Sequence, residues 1–242
     1  MEEQASQALP IHYLPLATTL ISAVFLAVLI RRYFFKGYGA HLLWWAAGIL
    51  SYGLGTALEG AITLFGNSIA LTKAWYVAGA VLGGYPLAQG SIYLLLPRHR
   101  ANLLTTISLP VIMVVSTLVL ISPVIPEALE PHRPSGSILG WQWVRLLTPF
   151  INGYAAFFLI GLAIRSAYLF FMHRRRLARA IGNSLIAVGA ILPGIGGGMA
   201  KAGAIEALYL GEFIGVILIW AGYTACVWHA DAELPSQASQ QA

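Results

Sequence analysis

The sequence predicts an all-α, polytopic membrane protein, a seven-transmembrane helical bundle, and three observations carry that prediction. Seven apolar stretches fill nearly all of the 242 residues. Each reaches the roughly 20 residues that a hydrocarbon core of about 30 Å requires at about 1.5 Å rise per residue. Hydrophobic residues make up 58% of the chain and charged residues only 10%, where a soluble domain carries about a quarter charged. The 25 glycines would weaken soluble helices, whereas small residues let membrane helices approach closely. In lipid every backbone polar group must pair within its own segment, which leaves helices as the building element.

The first segment, 11–30, opens at Pro15. It follows Glu2 and Glu3 in place of a basic leader, and its apolar run is too long for a cleavable signal peptide. The second, 41–65, carries Tyr52, Thr56, Glu59 and Thr63 on one face by their 3- and 4-residue spacing. The third, 70–96, has Lys73 near its start, a Gly79/Gly83 pair, and Gly84-Tyr85-Pro86 just beyond. The fourth covers 103–121. The one long connection, 122–141, holds Pro123, Pro126, Pro131 and Pro134, a density that favours an extended cover. Trp141 and Trp143 would anchor it at headgroup level, and it reads either as a lid or as an ordinary loop.

The fifth segment, 146–172, is followed by the basic run at 173–176, read first as a topological determinant and otherwise as an anionic-lipid site. The sixth, 181–204, carries Gly182, Gly189, Gly196 and Gly203 at intervals of seven. That spacing keeps all four on one stripe, the seam of a close helix pair. Pro193, Gly194, Gly196, Gly197 and Gly198 predict a break in the same helix, either exposing carbonyls to a solute or ion or serving as a packing kink. The seventh covers 205–227. Residues 1–230 form the transmembrane domain, and the polar 231–242 are expected to be a disordered tail.

Lysine and arginine gather on alternate connections. Arg31, Arg32, Lys36, Arg98, Arg100, Arg174, Arg175, Arg176 and Arg179 fall on one side, with Lys73, Arg133, Arg145 and Lys201 on the other. The positive-inside rule then places the N-terminus outside and the C-terminus in the cytoplasm. That distribution accounts for the net charge of +5 without a nucleic-acid partner. Cys226 is the only cysteine, so no intrachain disulfide can form. Pro15 with Pro149 and Arg31 with Arg165 recur at one offset, which suggests parallel repeats in a 3+1+3 arrangement.

Ionisable residues inside a bilayer cost roughly 2.5–3.5 kcal/mol each on insertion scales and mark candidate sites. Glu59 lies about 27 Å along its helix from His41, and Glu212 about 9 Å deeper than Glu206. Short carboxylate stems cannot reach water as lysine does, so Glu59 and Glu212 are expected to face inwards at an outer polar cavity for a small ligand or proton. Tyr52, Tyr76, Tyr209 and Lys73 should stand near them. Lys73 is the expected counter-ion of Glu59, which leaves Glu212 as the responsive group. His41, His99, His173 and His229 fall at cytoplasmic helix ends without an HxxxH or HExxH pair, so no metal site or other cofactor is expected.

The second and third segments read Leu43-Trp44-Trp45-Ala46-Ala47-Gly48-Ile49-Leu50-Ser51-Tyr52-Gly53-Leu54-Gly55-Thr56-Ala57-Leu58-Glu59, then Lys73-Ala74-Trp75-Tyr76-Val77-Ala78-Gly79 and Pro86. This resembles the N-terminal seven-helix sensory region of bacterial histidine kinases, over about 50 residues of aromatic and glycine positions. The resemblance implies a receptor-like protein of the bacterial inner (plasma) membrane. Within this sequence no kinase, PAS or cyclase domain follows Val227, so a sensory role is expected to need a separate signalling partner. The layout also matches microbial rhodopsins, but segment 205–227 holds no lysine for a retinal Schiff base. The expected function is therefore a sensory or ligand-binding bundle without catalytic activity. The alternative is a 3+1+3 small-solute or proton-coupled transporter, with a membrane-embedded hydrolase a distant third.

Overall fold

The computed structural model describes residues 10–37, 39–131, 133–172 and 177–238. Glu2, Glu3 and the basic run at 173–176 lie outside the described residues. After a 3-10 turn at Pro10–Tyr13, helix α1 (Leu14–Lys36) starts with a proline in its first turn, where no amide donor is missed, and stops at Gly37 with φ +119°. Helix α2 (Ala40–Phe65) returns antiparallel to it and ends at Gly66, whose amide closes on the Ile62 carbonyl at 3.0 Å. This helix is the centre of the bundle. Its Gly55 lies against the backbone of Gly79 and its Gly60 against Leu16, so neighbours approach on two sides.

The third apolar stretch is broken. Helix α3 (Ile69–Trp75), capped by the Ser68 hydroxyl on the Leu71 amide, passes into a π turn at Tyr76–Val81. The chain then unwinds at 82–84 and restarts as α4 (Tyr85–Leu95), with Pro86 in the first turn. Pro86 cannot donate to a preceding carbonyl, and Gly84 packs on Ala155. Every residue of α4 from Tyr85 to Ile92 is buried. Helix α5 (Arg98–Ile121) and the connection at 122–141 come next. That connection folds as two 3-10 turns and one antiparallel bridge between Val124 and Leu139. Asn67 pins it, donating to the Glu130 and Arg133 carbonyls at 2.8 and 3.0 Å.

Helix α6 (Gln142–Ala156) runs through a second π turn, Phe157–Gly161, into α7 (Leu162–Met172). Pro149 lies inside α6, not at its start as Pro15 does in α1, which removes one of the two anchors of the suspected repeat. Helices α8 (Leu177–Lys201) and α9 (Ile205–Ala238) form the closest pair. A Cβ at Gly182 would stand 2.7 Å from the Gly222 oxygen, and one at Gly189 2.7 Å from the Gly215 oxygen. At Gly196 it would stand 2.5 Å from the Ala207 oxygen. The glycine seam forms as the spacing of seven predicts, except that Gly203, at φ +103°, ends the helix.

The expected break at Pro193-Gly194-Ile195-Gly196-Gly197-Gly198 does not occur: α8 continues through it. Helix α9 also runs on to Ala238, so 231–238 extend the helix where a disordered tail was expected.

Among the described residues, six helices are long and apolar enough to cross a membrane, and there is no strand. The interrupted third stretch falls short of that length. The outward faces are apolar, with Phe35, Phe65 and Phe150 each more than three-quarters exposed. Such a surface suits hydrocarbon and not water, so the bundle is that of a membrane-embedded protein.

Candidate functional site

Two glutamates meet at the end of the bundle that carries the Pro10–Tyr13 turn. Glu59 sits near the C-terminal end of α2 and Glu212 two turns into α9, and the two carboxyl groups are neighbours. The third participant is one that the sequence did not point to: the Trp75 indole, at the end of α3, donates to Glu59 Oε1 at 2.7 Å. Glu59 is 1% exposed, and the Oε2 atoms of both glutamates are buried with no hydrogen-bond partner among the described residues. Glu59 is thus shut off from the surface, while Glu212 is half-buried.

A contact between two carboxyl groups has a chemical requirement. Two carboxylates have four acceptor oxygens and no donor, and they repel. A hydrogen bond between them needs a proton on one.

The surroundings fix the pair. The Tyr52 hydroxyl donates to the Glu212 backbone carbonyl at 2.7 Å, fastening α2 to α9 beside the acids. The Thr63 hydroxyl bonds the Glu59 carbonyl at 3.1 Å and reaches the His12 carbonyl at 3.3 Å. Thr56 and Thr19 share a bond of 2.9 Å between α2 and α1. Tyr209, 1% exposed, stands one turn before Glu212 and presents an edge-on contact to the His12 ring, with centroids 6.0 Å apart. His12 in turn lies 3.9 Å from Glu206. Arg133 pairs with Glu130 on the adjoining connection, and that carboxylate raises the guanidinium above its ordinary range, so the arginine stays charged.

Of the expected site residues, Glu59, Glu212, Tyr52 and Tyr209 come together and two do not. The Lys73 ammonium is bound to the carbonyls of Leu120 and Ser122 at 2.8 and 2.7 Å. It caps the C-terminal end of α5, where free carbonyls attract a cation, and the expected Glu59–Lys73 ion pair does not form. Tyr76 turns to α6, bonding Thr148 at 2.9 Å with its ring against Gly136. Pro193 and its neighbours lie within the continuous α8, without the half-helix ends that a break would expose; Gly194, Gly197 and Gly198 have no neighbour within 4 Å of a Cβ position.

A second polar network was also not anticipated from the sequence. Gln89, fully buried on α4, donates to Ser108 and Tyr154, each at 2.9 Å, and accepts from Thr105 at 3.3 Å. Tyr85 also bonds Ser108 at 2.9 Å. The signal was available: Gln89 is the only amide side chain in 70–96. Its bonds are satisfied, so the network joins α4, α5 and α6 and specifies their packing. Among the described residues no three His, Cys, Asp or Glu side chains converge as metal ligands would.

Compared with family models, with curated proteins and with solved structures, the chain matches none.

Proposed function

We propose that the chain is a proton-responsive sensory protein of the membrane: a seven-helix bundle without catalytic activity, whose output passes to a separate signalling partner. The observation that supports this reading is the buried contact between the carboxyls of Glu59 and Glu212, on helices from opposite ends of the sequence. With one proton the pair clamps α2 to α9. Without it, two like charges face each other in a medium of low dielectric, and the clamp becomes a repulsion. A proton is the ligand that such a pair of acids accepts without the helices parting.

The Trp75 bond ties the same event to the interrupted third stretch, because the π turn begins at the next residue. Closing a π turn to α geometry removes one residue from the turn and rotates the downstream segment by roughly 100°. That gives a local charge change a discrete element to bias, which is what a switch requires. In this reading α3, the π turn and α4 together make the seventh crossing. The distribution of lysine and arginine supports an N-terminus outside and a C-terminus in the cytoplasm of a bacterial plasma membrane.

A second reading, a 3+1+3 small-solute carrier, is favoured by the interruption at 82–84, because discontinuous helices line solute sites in transporters. Infrared titration of the reconstituted protein tests the first reading. A protonated-carboxyl band should titrate with pH in the wild type and be lost in both Glu59→Gln and Glu212→Gln. A band unchanged in both variants refutes it, and solute counterflow in proteoliposomes would then favour the carrier.

A further inference from the structure

Resting on the reading of Glu59 as a responsive group, we propose that the connection at 122–141 is a hinged strap latched by Asn67, and that α3 is the lever joining the latch to Glu59. The strap has a fixed base and a held tip. In the base, the Ile125 amide donates to the Ile138 carbonyl at 2.9 Å and the Gly140 amide to the Pro123 carbonyl at 2.7 Å. The Trp141 amide donates to the Ser122 hydroxyl at 3.2 Å. Ile138 and Leu139 enter the core from this base, 1% and 0% exposed. The tip, 126–133, has no described residue that is fully buried.

Among the described residues, Asn67 is the one group outside the connection that hydrogen-bonds the tip. Its backbone amide donates to the Pro131 carbonyl at 2.9 Å, and its side-chain amide to the Glu130 and Arg133 carbonyls. The Thr72 hydroxyl, from α3, donates to Asn67 Oδ1 at 2.7 Å. That bond fixes the side-chain amide with its nitrogen towards the tip.

Helix α3 and the residue after it meet the strap at each of its parts. Thr72 reaches the tip through Asn67. Lys73 holds the start, donating to the Leu120 and Ser122 carbonyls. Tyr76 lays its ring against Gly136 of the returning leg, where a Cβ would stand 2.5 Å from a ring carbon. Trp75 turns the other way, to Glu59 Oε1. Thr72 and Trp75 lie one turn apart in a helix of seven residues, and so short a helix shifts as one piece. The coupling is reciprocal. A change at Glu59 that draws in or releases the indole loads the latch, and lifting the tip loosens the hold of the indole on Glu59.

Hydrogen exchange of the full-length protein, read by mass spectrometry across 122–141, tests the strap. Asn67→Ala should speed exchange at Ala128 and Leu129 about tenfold, the scale of one or two lost hydrogen bonds. Ile125, Gly140 and Trp141 should keep wild-type protection, because the base bonds run within the connection. Trp75→Phe should speed the same two tip amides by less, again with the base unchanged. Wild-type tip rates in Asn67→Ala would overturn the latch, and equal acceleration of base and tip would overturn the hinge. Wild-type tip rates in Trp75→Phe would overturn the lever. Thr72→Val keeps the side-chain volume and removes the bond that orients Asn67; it should also speed the tip alone, and it decides the matter if Asn67→Ala does not fold. A carboxyl band unchanged in Glu59→Gln and Glu212→Gln would instead remove the proton-pair reading, while these exchange rates still decide the latch and its hinge.

Discussion

Gly189→Ala should destabilise the bundle by about 2 kcal/mol, the middle of the range for forcing extra volume into a packed contact. The added Cβ would stand 2.7 Å from the Gly215 oxygen and 3.0 Å from the Ile219 backbone nitrogen, where 3.4 Å or more is ordinary contact. Both obstacles are backbone, so no side-chain rotation relieves them, and α8 and α9 must separate by several tenths of an ångström. A radial gap of about 0.5–1 Å forfeits a quarter to a half of each dispersion contact across it, and in lipid that packing is what holds the pair together. Alanine's better helix propensity returns at most about 1 kcal/mol. Gly194→Ala is the control: on the same helix, with no neighbour within 4 Å, it should be neutral or slightly stabilising. Thermal unfolding in one detergent, read by loss of helical circular dichroism, measures both. Equal stability of Gly189→Ala and wild type, or an equal loss in Gly194→Ala, would refute the assignment of the seam.

Trp75→Phe keeps the ring but removes the N–H from a buried acceptor, and should lose roughly 1–3 kcal/mol. It should also shift the frequency of the carboxyl band; an unshifted band would show that Glu59 does not depend on the indole. Lys73→Met should fray the last turn of α5 at a cost of about 1 kcal/mol, because water can replace part of the bond at the bundle end. Hydrogen exchange at Ser122 and Trp141 should rise, and unchanged protection there would argue against the capping role.

The burial of Glu59 was legible because it stems from cost: a short carboxylate facing lipid has no relief, so the interior was the only place for it. The seam was legible because a spacing of seven names a face whatever the neighbours are. The counter-ion was not. Sequence proximity put Lys73 on the helix beside that of Glu59, but it does not say where a side chain points. Two residues on, Trp75 faces the acid, and the long lysine stem reaches instead to carbonyls at the end of α5. Nor does a sequence say that Tyr52 of α2 reaches the Glu212 carbonyl of α9, which brings the two acids to the same place.

The misplaced helix break has a more general cause. Both the third and the sixth stretches carry proline with clustered glycine, yet only the third unwinds. In each, the proline leaves the carbonyl four residues earlier without its helical partner, and the surroundings of that carbonyl decide the outcome. For Pro193 the carbonyl is that of Gly189, which lies against Gly215 of α9; a Cβ there would be 2.7 Å from the oxygen and 3.1 Å from two carbons of the proline ring. A bare glycine thus accepts both the ring and the oxygen, its Cα hydrogens offer a weak bond, and α8 stays helical. For Pro86 the carbonyl is that of Leu82, where the π turn ends and Gly83 and Gly84 come next, with Gly84 packed on Ala155. No matching glycine of a neighbouring helix receives that proline, and two residues with the least preference for helix precede it. The chain gives way at 82–84, beside the aromatic residue that holds Glu59, so the flexibility lies where a change of charge can act on it.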